Sequence, residues 1–361
     1  MSSEPTPLRR RTLRNAADLI DAGLASESDR AVLERVVATT SVALTQAMVD
    51  LIDPSDSADP IARQYVPSGA ELVATADERP DPIGDEAYSP VKGIVHRYPD
   101  RVLLKPILVC PVYCRFCFRR EAVGDADSTL TAEELDAALA YVAGRPELRE
   151  IVVTGGDPLM LPPARLAQLV ARVAAIPHME VLRFHTRIPV ADPERVTQAV
   201  VAALRPEGEL AALRPEGELA VWLSVHVNHP RELSPLARAA LRRLADGGLP
   251  LVSQTVLLKG VNDSAEVLED LFRALIRNRV RPYYLHHPDL ARGTSHFRPT
   301  IAEGQAIMRR LRGRLSGIAQ PTYVLDIPGG AGKVPVGPPY WDAEVGQVVD
   351  IMGLTHPYPG Q

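Results

Sequence analysis

Cysteine occurs three times in 361 residues, and all three fall within Cys110-Pro-Val-Tyr-Cys114-Arg-Phe-Cys117. Thiolates spaced this closely on a loop can converge on one inorganic centre, and there is no fourth cysteine to close a Cys₄ site. Zinc completed by His96 is one reading, but zinc ligands usually arrive as two pairs and this trio lacks the second. A disulfide would strand one thiol, and nothing at the N-terminus resembles a secretion signal. The remaining reading is a [4Fe-4S] cluster on three thiolates, its fourth iron open to a small-molecule ligand.

Other candidate groups stand at the ends of apolar runs. Thr154-Gly155-Gly156-Asp157-Pro158 pairs two glycines, which let a ligand approach the backbone, with an aspartate able to accept from an ammonium. His226, Gln254 and the group His286-His287-Pro-Asp289 end further runs. Near the C-terminus, Asp326-Ile-Pro-Gly-Gly-Ala-Gly-Lys333 invites a phosphate-loop reading. That reading fails because the motif needs Gly where Ile327 stands and Ser or Thr where Val334 stands. Only four of the 40 basic residues are lysines, namely Lys92, Lys105, Lys259 and Lys333. Arginine cannot form a Schiff base, so a lysine closing a glycine-rich segment is a candidate for that chemistry.

These groups need a scaffold that gathers strand ends. Residues 14–52 carry apolar positions at helical spacing, among them Leu33, Val36 and Val37, and residues 53–100 are rich in Pro, Asp and Gly and read as an irregular approach. Six strand candidates follow, at 102–109, 150–154, 181–185, 220–227, 251–258 and 281–286. They alternate with helix candidates at 131–144, 163–175, 193–204, 232–246, 263–278 and 301–315. The pattern predicts parallel βαβ units in an α/β fold, a partial (β/α)₆ barrel with its chemistry at the strand ends. The expected division is 1–90 as the N-terminal helical and approach region, 91–335 as the barrel, and 336–361 as a tail without chemical signal. A nine-residue segment repeats once within 204–221 and reads as a duplicated surface loop.

A net charge of −5 and 46% hydrophobic residues suit a cytosolic enzyme with no need of nucleic acid, and no apolar run reaches the ~20 residues that span a bilayer. The basic run at 8–14 reads as a solvated helix start.

The cysteine spacing, with Phe116 before the last cysteine, resembles the CxxxCxΦC signature of the radical S-adenosylmethionine (SAM) superfamily, and Gly155-Gly156-Asp157 one βα unit later resembles its motif for the methionine amino group. From Asp81 to Pro335 the chain is similar to the lysine 2,3-aminomutase family, whose members also use pyridoxal 5′-phosphate (PLP). The resemblance implies cluster ligands Cys110, Cys114 and Cys117, and SAM contacts from Gly155, Gly156, Asp157, His226 and Gln254. It further implies that Lys333 holds PLP covalently and that Arg97 and Arg101 take its phosphate. Arg119 would bind the substrate carboxylate, and Asp289 and Asp326 the distal ammonium. Two carboxylates favour lysine, with ornithine, arginine or glutamate as same-family alternatives and a non-catalytic iron–sulfur protein as another class. The implied reaction is isomerisation. An external electron, from a donor such as flavodoxin or ferredoxin, triggers SAM cleavage, a hydrogen leaves the substrate β-carbon, and the amino group moves from C2 to C3.

Two departures from the best-known members bear on assembly. The extra zinc-binding cysteines are missing, so no structural zinc is expected. The sequence also runs only 28 residues past Lys333, which leaves homo-oligomer formation open. The compact form is similar to relatives that make β-lysine for elongation factor P.

Overall fold

Burial alternates along the first long strand: Val102, Leu104 and Pro106 are buried and the residues between them half-exposed. The same period of two runs through Val181–Thr186, where Leu182 and Phe184 are buried between Arg183 and His185. Successive strand side chains point to opposite faces, so one face packs against helices and the other turns inward. The main core lies on the outer face, where Leu104, Val153, Phe184 and Leu223 meet Leu139, Leu166 and Leu268 of the helices.

The computed structural model describes residues 12–124, 129–205, 219–342 and 344–357. Nine strands form one sheet in chain order: β1 (Ile94–Tyr98), β2 (Arg101–Ile107), β3 (Glu150–Gly155), β4 (Val181–Thr186), β5 (Ala220–His226), β6 (Leu251–Val256), β7 (Val280–His286), β8 (Thr322–Ile327) and β9 (Gly332–Pro335). Strands β2 to β8 are parallel, and β1 and β9 are antiparallel edges. The barrel therefore has seven parallel strands where the sequence predicts six. The seventh, β8, was hidden because its short apolar centre, Tyr323-Val324-Leu325, leads straight into Pro328-Gly-Gly and merges with the turn. β1 likewise falls in the segment expected to be irregular. The two edges approach each other, and the Lys333 backbone N–H donates to the Tyr98 hydroxyl at 2.8 Å.

The helices are α1 (Ala16–Asp21), α2 (Arg30–Val37), α3 (Gln46–Val49), α4 (Ala62–Tyr65), α5 (Ala132–Ala143), α6 (Pro163–Ala174), α7 (Ile188–Ala191), α8 (Gln198–Ala203), α9 (Pro235–Asp246), α10 (Ala265–Arg277) and α11 (Ile301–Arg312). Thr131, Ser234, Ser264 and Thr300 start α5, α9, α10 and α11 by accepting from the backbone N–H three residues on. The helix expected over 193–204 is broken. A 3₁₀ turn at Pro193–Arg195 comes first, and Thr197 then caps a fresh start at α8.

Helices α1, α3 and α4 form a second core in which Leu19, Met48, Ile61 and Tyr65 pack with Val112 of the cysteine loop. The N-terminal region thus sits on the loop that needs positioning. The tail holds a small antiparallel sheet of β10 (Trp341–Asp342), β11 (Gln347–Val349) and β12 (Thr355–Pro357). Most of the duplicated segment, residues 206–218, lies outside the described residues.

Candidate active site

A cavity of about 490 Å³ runs through the barrel, from Arg101, Glu150 and Arg183 near the strand starts to the strand ends. The interior of a closed eight-stranded barrel is filled by side chains, whereas here long polar residues line an open channel. All fourteen residues singled out in the sequence line this one cavity: Cys110, Cys114, Cys117, Arg97, Arg101, Arg119, Gly155, Gly156, Asp157, His226, Gln254, Asp289, Asp326 and Lys333.

The cysteine loop is rooted by backbone contact between β2 and β3. The Gly156 N–H donates to the Ile107 carbonyl at 2.7 Å and the Asp157 N–H to the Val109 carbonyl at 3.0 Å. A Cβ on Gly156 would lie 2.5 Å from the Val109 oxygen, and Gly155 holds φ +104°. The paired glycines therefore let two stretches of this chain meet. From the other side, the buried Glu71 carboxylate takes Arg115 in a fork, with Nε at 3.0 Å and Nη2 at 2.6 Å, and also pairs with Arg120. Arg115 and Arg120 flank Cys117 in sequence, so one carboxylate clamps the loop.

All three thiols are free, and burial pushes each of them up, Cys117 to about 11. Three thiols so placed ionise together only around a strongly cationic centre. Among the described residues no three His, Cys, Asp or Glu groups are placed to hold a single metal ion. A [4Fe-4S] cluster, the group the cysteine spacing implies, would supply that charge. His96, the alternative zinc ligand, instead bonds the Tyr141 hydroxyl at 2.8 Å.

The Asp157 carboxylate is buried and already committed. It accepts from the backbone N–H groups of Leu159, Arg187 and Ile188 at 3.0, 2.6 and 3.1 Å, and from the Thr186 hydroxyl at 2.8 Å. Burial pushes its carboxyl up to about 6 against the pull of those donors. Its side chain thus fixes the turn after β4 while lining the cavity beside Gly155 and Gly156. His226 and Gln254 are direct neighbours in the β5–β6 register. His226 Nε2 lies 3.2 Å from Asn228 Oδ1, and burial holds the ring well below its usual pKa, hence neutral.

A second set of charges lines the remaining wall. The Lys333 Nζ donates to Asp326 and lies 3.3 Å from His286 Nδ1. Burial alone would raise Asp326, but the His286 hydrogen bond and the Lys333 ammonium hold it at about 2. Burial, reinforced by Lys333, pulls His286 down to about 4. Asp289 has the opposite fate: burial, with Asp326 adding repulsion, pushes it up to about 7, and its Oδ1 has no hydrogen-bond partner. Two neighbouring carboxylates are thereby driven apart in pKa, a pattern typical of functional sites.

Arg119 and Arg97 converge on Asp85. Arg119 Nη2 and Nε reach Asp85 Oδ2 at 2.8 and 3.0 Å, Arg97 Nη2 reaches Oδ1 at 3.0 Å, and Lys105 Nζ stands 3.8 Å away. Arg97 Nε is buried without a partner, and the Arg101 guanidinium lies 3.8 Å from the Tyr98 ring centroid. An unpartnered buried guanidinium N–H beside a second arginine suits a phosphate.

Sequence reasoning missed Asp85 and Glu71, which lie in an aperiodic segment, and the partners of Cys114. It also missed His185, which is half-buried in the cavity wall with its Nε2 buried and unpartnered. The signal for His185 was available, since it ends a predicted strand.

A parallel partial barrel with three free thiols on the loop after its first parallel strand defines a radical SAM protein, and residues 104–272 match the Radical SAM superfamily model. Residues 308–349 match a second model, described as Lysine-2,3-aminomutase. The chain is 41% identical over 308 residues to the L-lysine 2,3-aminomutase of Acetoanaerobium sticklandii, covering 85% of this chain and 72% of that one. It is 40% identical to the L-lysine 2,3-aminomutase of Clostridium subterminale, covering 84% and 70%. The glutamate 2,3-aminomutase of Clostridioides difficile is 35% identical, covering 82% and 68%. The chain belongs to the lysine 2,3-aminomutase family, radical SAM isomerases whose cofactors are a [4Fe-4S] cluster, SAM and PLP.

Proposed function

We propose that the protein converts L-lysine to β-lysine in the cytoplasm, moving the amino group from C2 to C3. The observation carrying this reading is the carboxylate pair in the cavity wall, Asp289 with a buried, unpartnered oxygen and Asp326 held by the Lys333 ammonium. An ammonium withdrawn from water needs opposite charge and charge-assisted hydrogen bonds. Lys333 supplies the cation for Asp326. Once Lys333 is engaged elsewhere, both carboxylates are available to the distal ammonium of a substrate. A glutamate side chain at this end would meet repulsion.

The other roles follow the same charge logic. Cys110, Cys114 and Cys117 hold the cluster, Gly155, Gly156 and Asp157 with His226 and Gln254 hold SAM, Lys333 carries PLP, and Arg97 and Arg101 hold its phosphate. The cluster and SAM together supply a 5′-deoxyadenosyl radical, and PLP supplies a conjugated ring that delocalises an unpaired electron during nitrogen migration. The chain's own work is placement. Arg119 fixes the substrate carboxylate while Asp289 and Asp326 fix the far end, so C2 and C3 are suspended between opposed charges. When Lys333 is released with Asp326 engaged by substrate, the neutral His286 stands ready to accept from its Nζ at Nδ1. Val95, Val152 and Val256 form an apolar wall of the cavity and keep water from reactive groups. A low-potential donor such as flavodoxin or ferredoxin supplies the electron, and the site is compatible with a homo-oligomer.

The test offers L-lysine, L-ornithine, L-arginine and L-glutamate separately to the anaerobically reconstituted protein with SAM, PLP and dithionite. β-Lysine is the expected main product. Preferential β-glutamate would overturn the substrate, and SAM cleavage without any β-amino acid would overturn the aminomutase reading.

A further inference from the structure

Arg187 follows β4, and its backbone N–H donates to Asp157 Oδ2 at 2.6 Å. Its side chain is buried, lines the cavity, and places Nη1 3.0 Å from Cys114 Sγ. Nη2 donates to Glu232 Oε2 and to Gln64 Oε1, both at 2.7 Å, and Nε has no partner. The Tyr65 and Phe116 rings flank the guanidinium, with centroids 4.9 and 5.7 Å away. Glu232 is fully buried, and its Oε1 accepts from the Asn228 and His229 backbone N–H groups at 2.8 Å each. A rigid, dry ion pair therefore points its positive end at one cysteine sulfur and its negative end away.

We propose that Arg187 and Glu232 act as opposed positioning charges that set the reduction potential of the centre held by Cys110, Cys114 and Cys117. This rests on the reading of that centre as a [4Fe-4S] cluster. Reduction adds one electron, [4Fe-4S]²⁺ + e⁻ → [4Fe-4S]⁺, so the cluster gains negative charge. A guanidinium on a ligand sulfur favours the reduced form, directly through its charge and through the N–H···S bond that withdraws density from the sulfur. Glu232, one guanidinium further off, partly cancels that field, and burial leaves both contributions weakly screened. Removing each partner should move the potential in opposite directions, which a merely structural role would not do.

The experiment is an EPR-monitored potential measurement on the full chain, reconstituted anaerobically and free of SAM, with dithionite delivering electrons through mediators. Arg187→Gln is expected to make the cluster at least tenfold harder to reduce, about 59 mV more negative for one electron. Glu232→Gln is expected to shift it the other way. If Arg187→Gln retains no iron, Arg187→Lys keeps the charge but loses the fork, and its shift should be negative and smaller than tenfold. Shifts of the same sign in the Arg187 and Glu232 variants, or changes below twofold in both, would overturn the proposal. A parent protein that binds iron, with null shifts in its variants, overturns this proposal and leaves the aminomutase reading standing. A parent that assembles no cluster overturns both.

Discussion

Asp326 and Lys333 face each other as direct partners in the antiparallel β8–β9 register, and the lysine Nζ pairs with the carboxylate across it. The four residues between the strands, Pro328-Gly-Gly-Ala331, include two glycines at positive φ. The tight turn thus brings the lysine proposed to carry PLP and a carboxylate proposed to hold substrate onto one strand pair. On that reading, occupation of Lys333 by PLP releases Asp326 for the incoming substrate.

Asp289 makes this exchange depend on pH. The folded carboxyl keeps its proton up to about pH 7, whereas an unfolded one releases it near 3.8. That proton favours the folded chain, wholly so below about pH 4 and progressively less as pH rises to about 7. Asp289→Asn should therefore raise Tm over the parent by more at about pH 8 than at about pH 4. Conversely, kcat/KM for lysine should fall as pH drops below about 7, and the variant should lose that limb.

Asp85→Asn removes the shared anchor of Arg97 and Arg119. Hydrogen bonds to charged groups contribute about 1.5–3 kcal/mol each, so KM for lysine should rise roughly 10- to 100-fold. PLP affinity, followed by its absorbance, should fall as well. SAM binding, which uses the other wall, should hold; equal loss of SAM binding would mark general misfolding.

Glu71→Gln leaves Arg115 and Arg120 without their common carboxylate in a dry site. Breaking a buried ion pair costs about 3–5 kcal/mol, which urea unfolding should register. The variant should also lose iron faster on dilution, since both arginines flank the last cysteine.

Gly156→Ala tests the root of the same loop by a different force. Its Cβ would stand 2.5 Å from the Val109 oxygen and 2.6 Å from the Val109 nitrogen, both backbone atoms that cannot swing aside. Iron content after reconstitution should collapse, with Tm lowered. Gly317→Ala, at an open position without a positive φ, should keep the iron.

Much of the site was legible because two signals are local. Three cysteines in eight residues mark a centre wherever they fold, and period-two strands separated by helices bring strand ends together whatever the helices contain. Asp289, Gln254 and His226 reach the cavity by that rule alone. The supporting shell was not legible. Glu71 and Asp85 sit in a Pro- and Gly-rich stretch without period, and only the chain path brings them under the cysteine loop. Asp157 was legible as a residue of the cavity, but its backbone partners at 159, 187 and 188 were not, because they are contributed by a turn that no local pattern announces. β8 was lost because Asp326 interrupts its apolar run and the strand passes directly into Pro328-Gly-Gly, so it merges with the glycine-rich turn.

The most direct measurement follows atoms through the reaction. Reconstituted protein is given L-lysine carrying ¹⁵N at the α-amino group and deuterium at C3, with Lys333→Ala alongside. The expected result is β-lysine with ¹⁵N on C3, deuterium appearing in 5′-deoxyadenosine and SAM, and neither from the variant. SAM cleavage with the label left at C2 and no deuterium transfer would contradict the assignment of this cavity as a lysine 2,3-aminomutase site.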